Sequence, residues 1–236
     1  MIKQICLTYF LLLLVGFVSA QDLDQDVLDQ INTYQSELEK HKNTNNTIQQ
    51  ANYLNKIAYL YWDNGVYNKA IENFSQSLQI NQANNNKNGI KSIYYNIGLI
   101  YSDQEKYNEA LSNFNNGLDV ARNLNQKEGI YTGLINKASA LKNLAKYAKA
   151  IVSLTEALEI AQELSNLKLI RTCYGMLAEN YELLGDSENT MKYFELFASV
   201  DKHIKAEQIK EIEERSKQEV QKAQTEKTRT QQALTE

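Results

Sequence analysis

A forty-residue internal period constrains this 236-residue chain more than any other feature of it. Ala70, Ala110, Ala150 and Thr190 fall forty positions apart, and the coincidence spreads to their neighbours. A small residue recurs at Ala58, Gly98, Ala138 and Ala178, followed three positions later by Tyr61, Tyr101, Leu141 and Tyr181. Four positions past each marker stand Phe74, Phe114, Leu154 and Phe194, and three further on Ser77, Gly117, Ala157 and Phe197. Small and large side chains alternating at three- and four-residue spacing are what two closely packed helices require, because a small residue on one lets the aromatic of the other approach. Between the two halves of each unit lie short segments such as Asn64-Gly65-Val66-Tyr67 and Leu184-Gly185-Asp186-Ser187. Each unit therefore reads as a helical hairpin. One hairpin cannot bury its own apolar face, so four in succession predict a stack with a continuous core.

Composition agrees with an all-α reading. The chain has no proline and nine glycines, which suits long uninterrupted helices better than a turn-rich sheet protein. Its formal charge is -4, and -5 without the single Lys3 charge of residues 1–20, so no basic surface for a phosphate backbone is implied and nucleic acid is not an expected partner.

Residues 1–20 follow a separate logic. Lys3 precedes an apolar run from Leu7 to Val18, and Val18-Ser19-Ala20 places small residues before Gln21. That pattern predicts a secretory signal peptide cleaved after Ala20, with no membrane span remaining and a periplasmic mature chain. The apolar run is shorter than the ~20 residues of a spanning helix. Cys6 would leave with the leader, so Cys173 has no cysteine to pair with and the fold must stand on packing.

The recurring residues resemble the tetratricopeptide repeat family. Its pattern appears as Leu54, Ile57, Ala58, Tyr61, Ala70, Phe74 and Ser77 in the first unit, and as Tyr94, Ile97, Gly98, Tyr101, Tyr107, Ala110 and Phe114 in the second. The resemblance covers residues 51 to 202 and implies an α-solenoid, a right-handed superhelix of helical hairpins. Two departures from the family stand out: its usual proline is missing from every unit, and the period is forty rather than 34, so longer helices are expected. The implied organisation is a signal peptide (1–20), an N-terminal cap helix and loop (21–50), and four repeats (51–90, 91–130, 131–170, 171–202). A long polar C-terminal helix (203–236) follows, with coiled-coil character. Asparagine clusters and a glycine are expected to stop the helices at Ala83 to Gly89 and Asn123 to Gly129.

The resemblance also implies where a ligand would lie. The first helix of each repeat lines a concave face, and the positions not spent on packing are Asn55, Tyr59 and Trp62, then Tyr95, Asn96 and Leu99. In the last two repeats they are Ile135, Asn136 and Ser139, then Met176, Glu179 and Glu182. Peptide-binding members use asparagine at such places to hold backbone amides, which singles out Asn96 and Asn136. The carboxylate clamp of chaperone-binding relatives is not reproduced, since Asn55, Tyr59 and Thr132 stand where Lys, Asn and Lys are needed.

No catalytic constellation, cofactor motif or metal-ligand spacing is visible; His41 and His203 lie far apart, and Cys173 sits at a packing position. The expectation is a non-enzymatic module binding a protein or peptide, without cofactor. An exported array of this kind followed by a Lys/Glu/Gln-rich helix resembles the extracytoplasmic regions of bacterial membrane-bound sensor kinases. That implies an input role with a homodimer formed through the C-terminal helix. The alternative is a periplasmic scaffold that gathers envelope proteins as a monomer.

Overall fold

The backbone turns on a twenty-residue beat. In the computed structural model, which describes residues 23–233, positive φ angles occur at Asn45, Gly65, Asn85, Glu105, Asn125, Ala145, Ser165 and Gly185. Only two of these eight are glycine; the others hold φ between 50° and 58°. Each is the left-handed residue that ends a helix, and in seven of the turns the next N–H reaches back five residues to a carbonyl. Examples are Val66 to Tyr61 and Asn86 to Asn81, both at 2.8 Å. This closure satisfies carbonyls that a helix end would otherwise leave bare.

The helices between these turns are α1 (Gln25–Asn43), α2 (Thr47–Asp63), α3 (Tyr67–Ala83), α4 (Lys87–Asp103) and α5 (Tyr107–Asn123). They continue as α6 (Lys127–Asn143), α7 (Tyr147–Glu163), α8 (Leu167–Leu184) and α9 (Ser187–Ala233). No strand occurs among the described residues. The fold is all-α, consecutive helical hairpins with a helix before the first. Helices α2 to α7 have 17 residues each, and a three-residue connection completes each step of twenty. The forty-residue period is thus two such steps. Asparagine starts three of the first helices at multiples of that interval: Asn46 accepts from Gln49 N, Asn86 from Gly89 N, and Asn166 from Lys168 N and Leu169 N.

The expectation that glycine stops the helices at 83–89 and 123–129 is corrected. Asn85 and Asn125 carry the left-handed conformation, while Gly89 and Gly129 lie in the first turns of α4 and α6. Asparagine tolerates this backbone because its short polar side chain bonds locally, which frees the glycines for close contact. A Cβ on Gly89 would overlap the Asn81 carboxamide.

The chain forms two compact bodies, divided in sequence between Leu144 and Ala145, inside the third repeat. In the first, α2 packs on α3, α4 on α5 and α6 on α5. Leu54, Ile57, Ala58, Phe74, Ile93 and Ile100 form its centre, and α1 adds Ile31 and Leu38. Fully burying an aliphatic or aromatic side chain of this size contributes about 1.5–3 kcal/mol. The small-against-large rule is visible at Gly98, where a Cβ would stand 2.5 Å from the Phe114 ring.

In the second body α7 packs on α8 and α8 on α9, around buried Leu154, Ala157, Cys173 and Leu177. Asp186 begins α9, its two oxygens accepting from the Asn189 backbone and side chain at 3.0 and 2.7 Å, which holds its carboxyl below the usual range. Arg171 of α8 approaches Asp201 at 2.8 Å and ties α9 to α8, while Lys205 pairs with the same carboxylate within α9 at 2.6 Å, and both lower that carboxyl too.

Helix α9 runs unbroken for 47 residues, through the 202/203 position where composition changes. Nothing after Gly185 interrupts its hydrogen-bond ladder, since neither glycine nor proline follows. From Lys205 to Thr225 every residue is exposed, and Glu211 pairs with Arg215 at 2.6 Å. No described helix is long and apolar enough to cross a membrane. The expected leader, residues 1–20 with Cys6, lies outside the described residues.

Candidate functional site

Helices α2 and α4, the first helices of successive repeats, bring four polar and aromatic side chains together. Tyr59 and Trp62 are three residues apart on α2, so they share a face, and their rings stack with centroids 6.1 Å apart. Phe74 of α3 supports both edge-on, at 5.2 and 6.5 Å. From α4, Asn96 Nδ2 donates to the Tyr59 hydroxyl at 2.7 Å, and Asp103 accepts the Trp62 indole N–H at 2.6 Å. Tyr59 remains 42% exposed, so its ring and the Asn96 carboxamide are open to a ligand while anchored from beneath. The arrangement provides an aromatic platform edged by a carboxamide and a carboxylate. It can stack on a planar or aliphatic group and bond a backbone amide.

Three sequence-predicted residues, Tyr59, Trp62 and Asn96, therefore meet. Asp103 was not foreseen; its signal is the recurrence of Asp63 and Asp103 forty apart at the last position of α2 and α4. Ile135, Asn136 and Ser139 lie half-buried on α6, and Leu99 packs against the core around Phe114. Met176 is half-buried on α8 of the second body, where Glu179 and Glu182 are exposed.

Tyr95 departs from the expectation. It is 6% exposed, because Gly117 and Gly133 leave a slot that its ring fills, and its hydroxyl donates to the Gly129 carbonyl at 2.9 Å. Burial pushes its phenol up to about 12. Tyr95 is thus an internal bolt between α4, α5 and α6 rather than a ligand contact.

Asn55 holds the same repeat position as Tyr95, forty residues earlier, and it too lies apart from the platform. It lines a cavity of about 250 Å3 whose walls include Asn52, Asn81, Asn84, Asn86 and Gly89. Asn81 Nδ2 donates to the Ser77 carbonyl at 2.8 Å, and Asn86 Nδ2 donates to Asn81 Oδ1 at 2.7 Å. The Asn55 side-chain oxygen is shut off from solvent and accepts no hydrogen bond.

Among the described residues no cluster of His, Cys, Asp and Glu has the make-up of a metal site. Cys173 is fully buried between α8 and its neighbours.

Residues 49–123 match the family described as Tetratricopeptide repeat, and residues 94–180 match one described as Anaphase-promoting complex subunit 5. No curated protein matches the chain. Among solved structures, the chain is similar to BtubC (BKLC) from P. vanneervenii, with a TM-score of 0.70 and 17% identity over 77% of this chain and 75% of that one. It is similar to the nearly identical TPR-like repeats of a Podosopora anserina putative kinesin light chain, with a TM-score of 0.65, 13% identity and coverage of 76% and 89%. It is also similar to a Rap protein complexed with competence and sporulation factor, with a TM-score of 0.59, 19% identity and coverage of 75% and 49%.

Proposed function

We propose that the chain, whose residues 49–123 match the tetratricopeptide-repeat family, is a non-catalytic module that binds a peptide or protein segment along the first helices of the repeats in its first body. The observation carrying this reading is the anchored, half-open platform of Tyr59 and Trp62 with Asn96 and Asp103. A platform fixed by cross-helix hydrogen bonds loses little side-chain freedom on binding, which favours affinity. Ile135, Asn136 and Ser139 extend the reading along α6. A Rap protein of similar fold was solved complexed with competence and sporulation factor, which accords with a ligand-binding role.

The test is selection of peptides from a random library against the full chain, followed by affinity measurements on Trp62→Ala and Asn96→Ala. At least a tenfold loss with Trp62→Ala is expected. Selected peptides that bind both variants as tightly as the parent would overturn the assignment.

Export to the periplasm belongs to the same proposal and rests on the leader pattern of residues 1–20. N-terminal sequencing of the protein recovered from the envelope should begin at Gln21; an intact Met1 terminus on cytoplasmic protein would refute it. Within that setting the chain serves as an input region that pairs through α9. Met191, Phe194, Ile209, Ile212 and Val220 are each more than half exposed on that helix, apolar surface that a paired helix would cover. Sedimentation of the full chain should give a dimer that Ile209→Glu with Ile212→Glu reduces to a monomer. A full chain that sediments as a monomer would instead favour the scaffold reading.

A further inference from the structure

Helix α9 lacks a neighbour that the inner second helices have. On α5, Phe114 and Leu118 are buried, with Ala140 of α6 closing over Phe114. On α7, Ile151, Leu154, Ala157 and Leu158 are buried, and α8 packs against that helix. The same repeat positions on α9 are Met191, Phe194, Phe197 and Ala198. Of these, Met191, Phe194 and Ala198 are exposed, and the apolar groove they begin continues past Ala206 to Ile209. The other side of α9 is already covered: Leu196 and Val200 are half-buried and Ile204 is buried where α9 packs on α8. Helix α9 therefore carries two apolar faces, one filled and one shaped as the seat of a further helix.

The repeats fix the direction of that further helix. Helix α6 follows α5, and α8 follows α7, after three-residue connections, so the helix on each seat runs antiparallel to the one beneath it. Read backwards, α9 itself meets the requirement. In an antiparallel register centred between Asp201 and Lys202, Met191 of one copy opposes Ile212 of the other, Phe194 opposes Ile209, and Phe197 opposes Ala206. Those pairs match apolar to apolar and large to small. Asp201 opposes Lys202, and Lys205, held by its own Asp201 at 2.6 Å, opposes Ala198. A parallel pair in register would instead set Lys205 against Lys205 and Asp201 against Asp201, and like charges across an interface are costly. We propose that the face of α9 from Met191 to Ile212 is the interface for a second copy of this chain, bound antiparallel. Each copy's α9 then takes the seat on the other that α6 takes on α5 and α8 on α7. The contact is isologous, so it closes on two copies and leaves neither seat free. It rests on the reading that the chain pairs through α9, and adds the face, the direction and the register.

The test measures distances between copies by pulsed electron paramagnetic resonance on the full chain. Spin labels are placed on Ser199→Cys and, separately, on Ser216→Cys, both at exposed positions, in a Cys6→Ser background in which Cys173 is buried. At a rise of about 1.5 Å per residue, labels at position 199 should lie within about 25 Å of each other and labels at position 216 about 40 Å apart. Short distances at both positions would mean parallel pairing and overturn the proposal, while leaving pairing through α9 intact. Phe194→Glu should weaken the dimer at least tenfold in sedimentation with Tm unchanged, because this ring faces solvent in the single chain. A Phe194→Glu dimer as tight as the parent would place the contact in the distal part of α9 and overturn the proposal. A full chain that sediments as a monomer would overturn the interface and the pairing reading together, without touching the Tyr59 and Trp62 platform.

Discussion

Phe114 and Phe194 hold the same position in their repeats, yet one is 1% exposed and the other 63%. Both sit on a second helix, four residues after the marker position, and both read from sequence as packing aromatics. Around Phe114 the core is completed by Tyr95 of α4 and Ala140 of α6, the helix that follows. No described helix follows α9, so the ring of Phe194 stays in solvent. Burial in a repeat array is thus a property of the neighbour as much as of the residue, and a repeat's pattern alone does not say whether its aromatic stabilises the fold or waits for a partner.

The largest expected effect tests this contrast directly. Phe114→Ala should destabilise the chain by about 3–5 kcal/mol in denaturant unfolding, since it leaves a cavity among Gly98, Tyr95 and Ala140. Phe194→Ala should change stability by no more than ~0.5 kcal/mol, its effect falling on self-association instead. Equal losses at the two sites would end the comparison. A middle effect is expected at Gly98→Ala, where the new methyl meets the Phe114 ring and should cost about 1–3 kcal/mol.

Tyr95 offers a comparison by pH. Its phenol ionises near 10.0 when free and is pushed up to about 12 by burial in the fold, so the folded state disfavours the phenolate. Its contribution is therefore complete below about pH 10 and declines as pH rises through that window towards 12. The unfolding midpoint should fall over that range, and less steeply in Tyr95→Phe. Identical slopes in the two proteins would show that the phenol is not buried as described. The smallest effect is expected at Asn96→Ala, within ~0.5 kcal/mol, because its bond to Tyr59 lies at a half-open surface. Unfolding of that variant would place Asn96 in the core and remove it from the ligand face.

Helical hairpins were legible because side-chain size recurs in phase, and phase survives whatever the chain does at long range. Ala58, Gly98, Ala138 and the large residues Phe74, Phe114 and Leu154 could be assigned to packed positions from spacing alone. The Tyr59, Trp62 and Asn96 grouping was legible for the same reason, as positions left over once packing had been assigned. Tyr95 was misplaced because its slot is made by Gly117 and Gly133, residues on two other helices whose convergence no local pattern records. Asp103 was missed because its partner, Trp62, lies forty-one residues away on a neighbouring helix.

The sequence by itself determined that this chain is a succession of forty-residue helical hairpins, because the alternation of small and large residues admits close helix packing and little else. Tertiary structure decided which equivalent positions are plugged, open or exposed. Tyr95 fills its slot, Asn55 borders a cavity and Phe194 meets solvent, since those outcomes depend on volumes supplied by other helices.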